Sequence, residues 1–288
     1  MPAPQAMIDA MVAAINTAGS PACVGIDPVF TRMPDELRAL RETEAVEQLC
    51  TAIIDACKGV VGVVKPQSAC FERYGSAGYA ILERTIARAR DAGMVVILDA
   101  KRGDIGSSAQ HYAIGAADMG AHFITVSPYM GPSTIEPFLD AGLGVFALVR
   151  TSNPDSDRLQ SAPLDAGKTI AEEVAAMIAE MGKACIGDAR ISGLGAVVGA
   201  TKARDARALR ATMPDQMFLV PGVGAQGGSI GDVREMVRTN ADSVGTLGVI
   251  VNSSRAINYA TPEPGQSFRD AIHEAAVSFA ADLRSLNT

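Results

Sequence analysis

Met94-Val-Val-Ile-Leu-Asp-Ala-Lys-Arg-Gly-Asp104 couples five apolar residues, mostly β-branched or aliphatic, directly to a run of charges. An uninterrupted apolar run of this length predicts a strand buried on both faces, as in a parallel sheet. The charges mark where that strand surfaces. Alternate side chains of a strand share a face, so Asp99 and Lys101 are expected to project together. Gly103 then lets the backbone turn, and Asp104 follows. Two carboxylates are thus expected to bracket one ammonium. Neighbouring negative charge favours the charged form of a lysine. Lys101 therefore reads as an acid poised to deliver a proton, and as a poor nucleophile.

The same signature recurs outward from this stretch. Further strand candidates are 22–26, 60–64, 122–126, 145–149, 194–198, 217–220 and 243–251, the last to be trimmed at one end. Amphipathic stretches lie between them, at 44–57, 77–91, 108–119, 168–181, 204–212 and 229–238. Strands alternating with helices predict an α/β fold with a parallel sheet. Eight such units in 288 residues predict a single-domain (β/α)8 TIM barrel over 1–288. A doubly wound open sheet meets the same alternation, because spatial strand order cannot be read from sequence. The segment 152–167, rich in Ser, Pro, Asp and Gly, directly follows the fifth strand. In a barrel it falls where long loops act as lids.

Composition narrows the function classes. Hydrophobic residues make up 48% of the chain and aromatics 5%, with no Trp, which suits an aliphatic core. A net charge of −7 argues against a broad nucleic-acid surface while leaving room for a local anion site. The five cysteines show no C-x-x-C spacing and are odd in number, so they read as reduced thiols of a cytoplasmic protein. The first twenty residues lack a basic leader and carry Asp9 within their apolar stretch, so no signal peptide is expected. No uncharged apolar run reaches the ~18 residues that a membrane span needs.

Polar residues gather at the strand ends. Asp27 ends the first strand, Lys65 the second, and Asp99 with Lys101 the third. Ser127 ends the fourth, and Arg150 to Asn153 end the fifth. In a barrel these ends meet on one face. Lys65, Asp99, Lys101 and Asp104 then form a chain of alternating charge, which gives each buried carboxylate a cationic partner. Pro221-Gly-Val-Gly-Ala-Gln-Gly-Gly228 follows the seventh strand and opens a helix near Ser229. Its backbone N–H groups, the helix N-terminus and the Gln226 amide suit an oxyanion. The spacing is neither a Walker loop nor a dinucleotide fingerprint. Asn252-Ser-Ser-Arg255 follows the eighth strand, and loops after strands seven and eight form the recurrent phosphate site of such barrels. Arg255 adds a planar fork that suits phosphate. His111, His122 and His273 show no metal spacing. Asp27, Asp99 and Asp104 are already neutralised by two lysines, so no metal is expected.

With these residues in view, the chain resembles the orotidine 5′-phosphate decarboxylases. The likeness rests on Asp99-Ala-Lys-Arg-Gly-Asp104-Ile105, on Lys65, on Pro221–Gly228 and on Arg255, in the expected order. Lys65-Pro-Gln-Ser-Ala-Cys-Phe-Glu72 and Arg150-Thr-Ser-Asn-Pro154 are similar to the longer bacterial subgroup. The resemblance implies a cofactor-free and metal-free decarboxylation of orotidine 5′-phosphate to UMP, the last step of pyrimidine nucleotide synthesis. It implies that Lys101 protonates C6, that Asp99 faces the substrate carboxylate, and that Lys65 organises the array. Asp27 would bind a ribose hydroxyl and Ser152 the pyrimidine. Gln226 and Arg255 would grip the phosphate, with Pro221 lining the pocket and Ser254 nearby. Asp104 and Ile105 would reach the neighbouring site of a homodimer, with Ser108 close to the same ribose.

Three other readings share parts of this pattern. A Mg²⁺-assisted sugar-phosphate synthase would use a similar Asp-x-Lys-x-x-Asp motif, but Lys65 competes with a metal for Asp99. A Schiff-base aldolase needs a depressed amine, contrary to the flanking aspartates. A non-catalytic phosphate sensor has no use for the charged array.

Overall fold

The computed structural model describes residues 3–165, 167–224 and 227–287. The strands are β1 (Ala22–Ile26), β2 (Val63–Pro66), β3 (Val95–Arg102), β4 (Phe123–Val126), β5 (Gly144–Arg150), β6 (Ser192–Val198), β7 (Gln216–Val220) and β8 (Val249–Ser253). They are parallel and close in chain order, β8 pairing back onto β1. Closure decides between the two architectures in favour of the (β/α)8 barrel.

The helices that position the site are α1 (Pro4–Ala18), α2 (Glu42–Cys57), α3 (Gly75–Asp91), α4 (Gly106–Asp118), α5 (Glu136–Asp140), α6 (Ile170–Gly182), α7 (Ala203–Thr212), α8 (Ile230–Arg234), α9 (Arg255–Asn258) and α10 (Phe268–Leu283). Strand residues alternate between two apolar layers. Val64, Val96 and Ile124 pack outward under the helices. Cys23, Val63, Val95, Ile97, Phe123, Phe146, Met217 and Ile250 fill the barrel interior. The Phe123 and Phe146 rings meet there with centroids 5.3 Å apart.

The element that the sequence pattern did not announce is α1. Its buried Ile8, Met11, Val12 and Ile15 join the interior cluster and close the N-terminal end of the barrel. Close approach is possible because two strand-proximal residues lack a side chain. A Cβ on Gly62 would lie 2.3 Å from the Ala14 carbonyl, and one on Gly193 would lie 2.4 Å from that of Pro4.

Boundaries moved for local reasons. The second strand begins at Val63 rather than Val60, because the Val60 and Val61 N–H groups bond back to the Cys57 carbonyl at the end of α2. Lys65 therefore lies inside the strand and not just beyond it. The eighth strand begins only at Val249, since Ser243–Thr246 turns on hydrogen bonds between the Thr246 hydroxyl and Asp242 and Ser243. The expected helix at 229–238 is reduced to α8. The segment 152–167 is not irregular where described, containing helical turns at Pro154–Ser156 and Asp157–Gln160.

The cysteines are all free, four of them buried. Burial pushes the Cys23 thiol up to about 12. His122 accepts the Val96 N–H at Nδ1 over 3.0 Å, and burial together with Arg90 lowers it to about 4. Among the described residues no helix is long and apolar enough to cross a membrane.

Candidate active site

A cavity of about 450 Å³ opens at the C-terminal ends of the strands. This is large enough for a nucleotide-sized ligand. Of the expected site residues, Asp27, Lys65, Asp99, Lys101, Ser152, Pro221, Ser254 and Arg255 line it. They come from the ends of six different strands and are gathered by barrel closure alone.

Asp99 is the centre of the array. Lys65 donates its ammonium to Oδ2 over 2.7 Å, and Lys101 donates to Oδ1 over 2.6 Å. The Gln67 amide also donates to Oδ2, at 3.1 Å, and the Thr125 hydroxyl to Oδ1, at 2.9 Å. Burial alone would push the Asp99 carboxyl up, but Lys65 and Lys101 outweigh it and hold it well below the usual carboxylate range. Burial works against the Lys65 ammonium too, yet Asp99 and Asp27 raise it above the ordinary lysine value. The alternating charge expected from the sequence is thus present as Lys65–Asp99–Lys101.

Lys101 reaches Asp99 by a route that strand alternation does not describe. Its φ of 46° places it in the left-handed region, and the β3–β4 register shifts between Leu98 and Arg102. Such a conformation costs a non-glycine residue about 1–3 kcal/mol and persists only where the surroundings impose it. Here the Lys101 backbone N–H donates to the Thr125 hydroxyl at 2.9 Å. Gly103, expected to make the turn, has a different role: a Cβ there would lie 3.1 Å from that of Ser127. Arg102 faces away from the cavity, pairing with Glu72 and lying over the Tyr112 ring.

Asp104, Ile105 and Ser108 do not line the cavity. Asp104 does not bracket Lys101 within one chain; its carboxylate accepts the N–H of Ile105 at 2.8 Å. Ile105 is 60% exposed, unusual for an isoleucine beside a charged site, and Ser108 is exposed as well. Gln226 lies outside the described residues.

The side of the cavity where an anion was expected differs in detail from the expectation. The glycine loop spends several N–H groups on itself: Gly224 donates to the Gly228 carbonyl, Gly227 to Gly224, and Gly228 to Gly222. The N-terminus of α8 is closed by its own capping box: the Ser229 hydroxyl accepts the Asp232 N–H, and the Asp232 carboxylate accepts the Ser229 N–H. What faces the cavity is Pro221-Gly222-Val223 together with Ser253, Ser254 and Arg255, where α9 begins. Among the described residues, the side chains that could hold an anion thus come more from the end of β8 than from the end of β7. Next to this group, after the neighbouring strand β1, Asp27 Oδ1 is buried with no hydrogen-bond partner among the described residues. A buried acceptor left open suits a hydroxyl donor.

Thr125, Gln67 and Gln160 also line the cavity and were not singled out from sequence. Thr125 sits in an apolar strand and looks like an ordinary β-former. Gln67 carried the better signal, two residues beyond Lys65.

Residues 20–271 match the family model described as Orotidine 5′-phosphate decarboxylase / HUMPS family. The chain belongs to this family. Within the decarboxylase / HUMPS family, the orotidine 5′-phosphate decarboxylase of Rhodopirellula baltica is 40% identical, covering 94% of this chain and 97% of its own. That of Herpetosiphon aurantiacus is 38% identical over 96% and 97% of the two chains. The solved structure of Leishmania donovani OMP decarboxylase superposes with a TM-score of 0.77 at 29% identity, covering 97% of this chain and 98% of that one.

Proposed function

We propose that this chain decarboxylates orotidine 5′-phosphate to uridine 5′-phosphate, with Lys101 as the proton donor to C6 and no metal or organic cofactor. The observation that carries the reading is the pair of ammonium groups on opposite oxygens of one buried carboxylate, Lys65 on Oδ2 and Lys101 on Oδ1 of Asp99. Against the alternative of a Mg²⁺-assisted sugar-phosphate synthase, the same observation favours the decarboxylase. A divalent cation at Asp99 would have to displace both ammonium groups from it.

The chemistry follows from that placement. The C6–carboxylate bond breaks, CO₂ leaves, and the electron pair stays in the ring plane at C6, where the π system cannot delocalise it. Enzymes lower barriers by about 8–23 kcal/mol, and an unstabilised carbanion calls for the upper end. The Lys101 ammonium lies in a preorganised field, so it stabilises the developing negative charge before its proton moves to C6. Lys101 then takes a proton back from solvent. Asp99 faces the carboxylate that departs, and Lys65 keeps Asp99 ionised.

Asp27 takes a ribose hydroxyl and Ser152 the pyrimidine. Pro221 packs against the nucleotide, and Arg255, Ser254 and Gln226 hold the phosphate. Binding energy from the phosphate, remote from the breaking bond, is available to order the segment 152–167 as a lid. Asp104 and Ile105 reach the site of a second copy in a homodimer, with Ser108 beside the same ribose, which accounts for an isoleucine left exposed. The protein is cytoplasmic in this reading.

Loss of orotidylate absorbance on mixing with purified protein tests the proposal. Turnover is expected with a strong chelator present and is lost in Lys101→Ala. Turnover that stops with the chelator and returns with Mg²⁺ would overturn the metal-free reading.

A further inference from the structure

Arg150, the last residue of β5, is buried to 4% exposure yet does not itself line the cavity. Its guanidinium is fully engaged elsewhere. Nε donates to Asp205 Oδ2 in α7 at 2.6 Å. Nη2 donates to Asp157 at 2.7 Å and to the Ser161 hydroxyl at 2.9 Å. Nη1 donates to the Ser156 hydroxyl at 3.2 Å and to Gln160 Oε1 at 3.5 Å. Four of these five acceptors belong to one six-residue stretch, 156–161. The Lys202 ammonium pairs with the same Asp157 from the β6–α7 connection.

Gln160 carries this arrangement to the cavity wall. Its Oε1 accepts the Thr151 N–H at 2.9 Å, and its Nε2 donates to the Thr151 hydroxyl at 3.0 Å. Thr151, Ser152 and Asn153 line the cavity, as does Gln160 itself. The Ser152 carbonyl is held from the other side by the Thr201 hydroxyl at 3.2 Å. A planar fork with five donors serves acceptors that diverge in this way, whereas a lysine supplies one point charge. Burying such a cation is favourable only when its partners are in place, so the fork and the 156–161 turn order one another.

We infer that Arg150 is a positioning residue for the base-binding wall of the cavity, acting through Gln160 on Thr151–Asn153 and leaving the anion grip at Ser254–Arg255 untouched. The inference rests on the nucleotide reading of the cavity. It assigns to Arg150 a selective effect: loss of the fork weakens recognition of the pyrimidine but not of the sugar phosphate.

Calorimetric titration with UMP and with ribose 5-phosphate separates the two. Wild type is expected to bind UMP more tightly than ribose 5-phosphate. Arg150→Lys is expected to lose about 10-fold or more in UMP affinity while ribose 5-phosphate affinity stays within about 2-fold. Gln160→Ala, which removes only the relay and leaves the buried cation in place, is expected to show the same selective loss. It serves as the deciding variant if Arg150→Lys does not fold. Equal losses for both ligands, or full UMP preference retained in Gln160→Ala, would overturn the inference and leave the nucleotide reading standing. Wild-type protein with no preference for UMP over ribose 5-phosphate would remove both.

Discussion

Lys101 donates its backbone N–H to the hydroxyl of Thr125 across the β3–β4 bulge, at 2.9 Å. The same hydroxyl donates to Asp99, so one threonine fixes both the backbone of the proposed proton donor and the carboxylate that orients its ammonium. Thr125→Val keeps the shape and deletes both bonds. We expect kcat to fall about 10–100-fold with KM within about 3-fold, since the lost contacts serve the reacting groups and not ground-state binding. Thr125→Ser should recover most of the rate. A change confined to KM in steady-state kinetics would show that the hydroxyl serves binding instead.

Lys101→Ala removes the ammonium itself. Turnover should drop by more than about 10³-fold, combining loss of the acid with loss of carbanion stabilisation. Titration with UMP should still show binding, because the anion site and Asp27 are intact.

Arg255 stands at the start of α9, lining the cavity where the phosphate is proposed to sit. Charge-assisted hydrogen bonds are worth about 1.5–3 kcal/mol, so Arg255→Ala should raise KM for orotidine 5′-phosphate by about 10–150-fold. Turnover of orotidine, which lacks the phosphate, should be unaffected by the substitution. An equal loss on both substrates would place Arg255 outside the phosphate site.

Asp104 does not meet Lys101 within one chain, which makes a shared site testable by mixing. Homodimers of Asp104→Asn and of Lys101→Ala should each be nearly inactive. Re-equilibrated one to one, about half the dimers are mixed and each carries one intact site of two, giving about a quarter of wild-type activity. No recovery, with mixed dimers verified by tagged pull-down, would show that each subunit works alone.

His122 supplies a pH dependence of stability. Its folded value, lowered to about 4 by burial and Arg90, lies below the ordinary 6.5, so the unfolded chain binds the proton first. The stabilisation is complete above about pH 6.5 and is lost as pH falls toward 4. Melting temperatures measured between pH 7 and pH 4 should fall less steeply in His122→Gln than in wild type. Parallel curves would show that the ring takes up its proton without penalty.

Much of this architecture was readable in advance because buried parallel strands write themselves as apolar runs, and charged residues at their ends have few innocent explanations. Asp99, Lys101 and Lys65 were visible for that reason. Thr125 was not, since a threonine inside Phe123–Val126 gives no sign that its hydroxyl faces a bulge in the next strand. The positive φ of Lys101 was equally hidden: a neighbouring glycine looked like the natural pivot, and the real one is held by tertiary hydrogen bonds. The anion loop misled in a different way. Its glycines promise free N–H groups, but only coordinates reveal that Gly224, Gly227 and Gly228 are already committed to their own turn. Helix α1 was missed because alanines dilute its apolar face, and what it covers is the end of a barrel and not the side of a sheet.

That helix makes the barrel a cul-de-sac. With Ile8, Met11 and Ile15 as the stopper, the cavity opens at the rim above β1–β8. A nucleotide seated there sits over any gas released at the floor, and the α1 end is filled by apolar side chains. Carbon dioxide is suited to that exit, being small, uncharged and indifferent to hydrogen bonds, so it can slip past the bulkier product that still corks the opening.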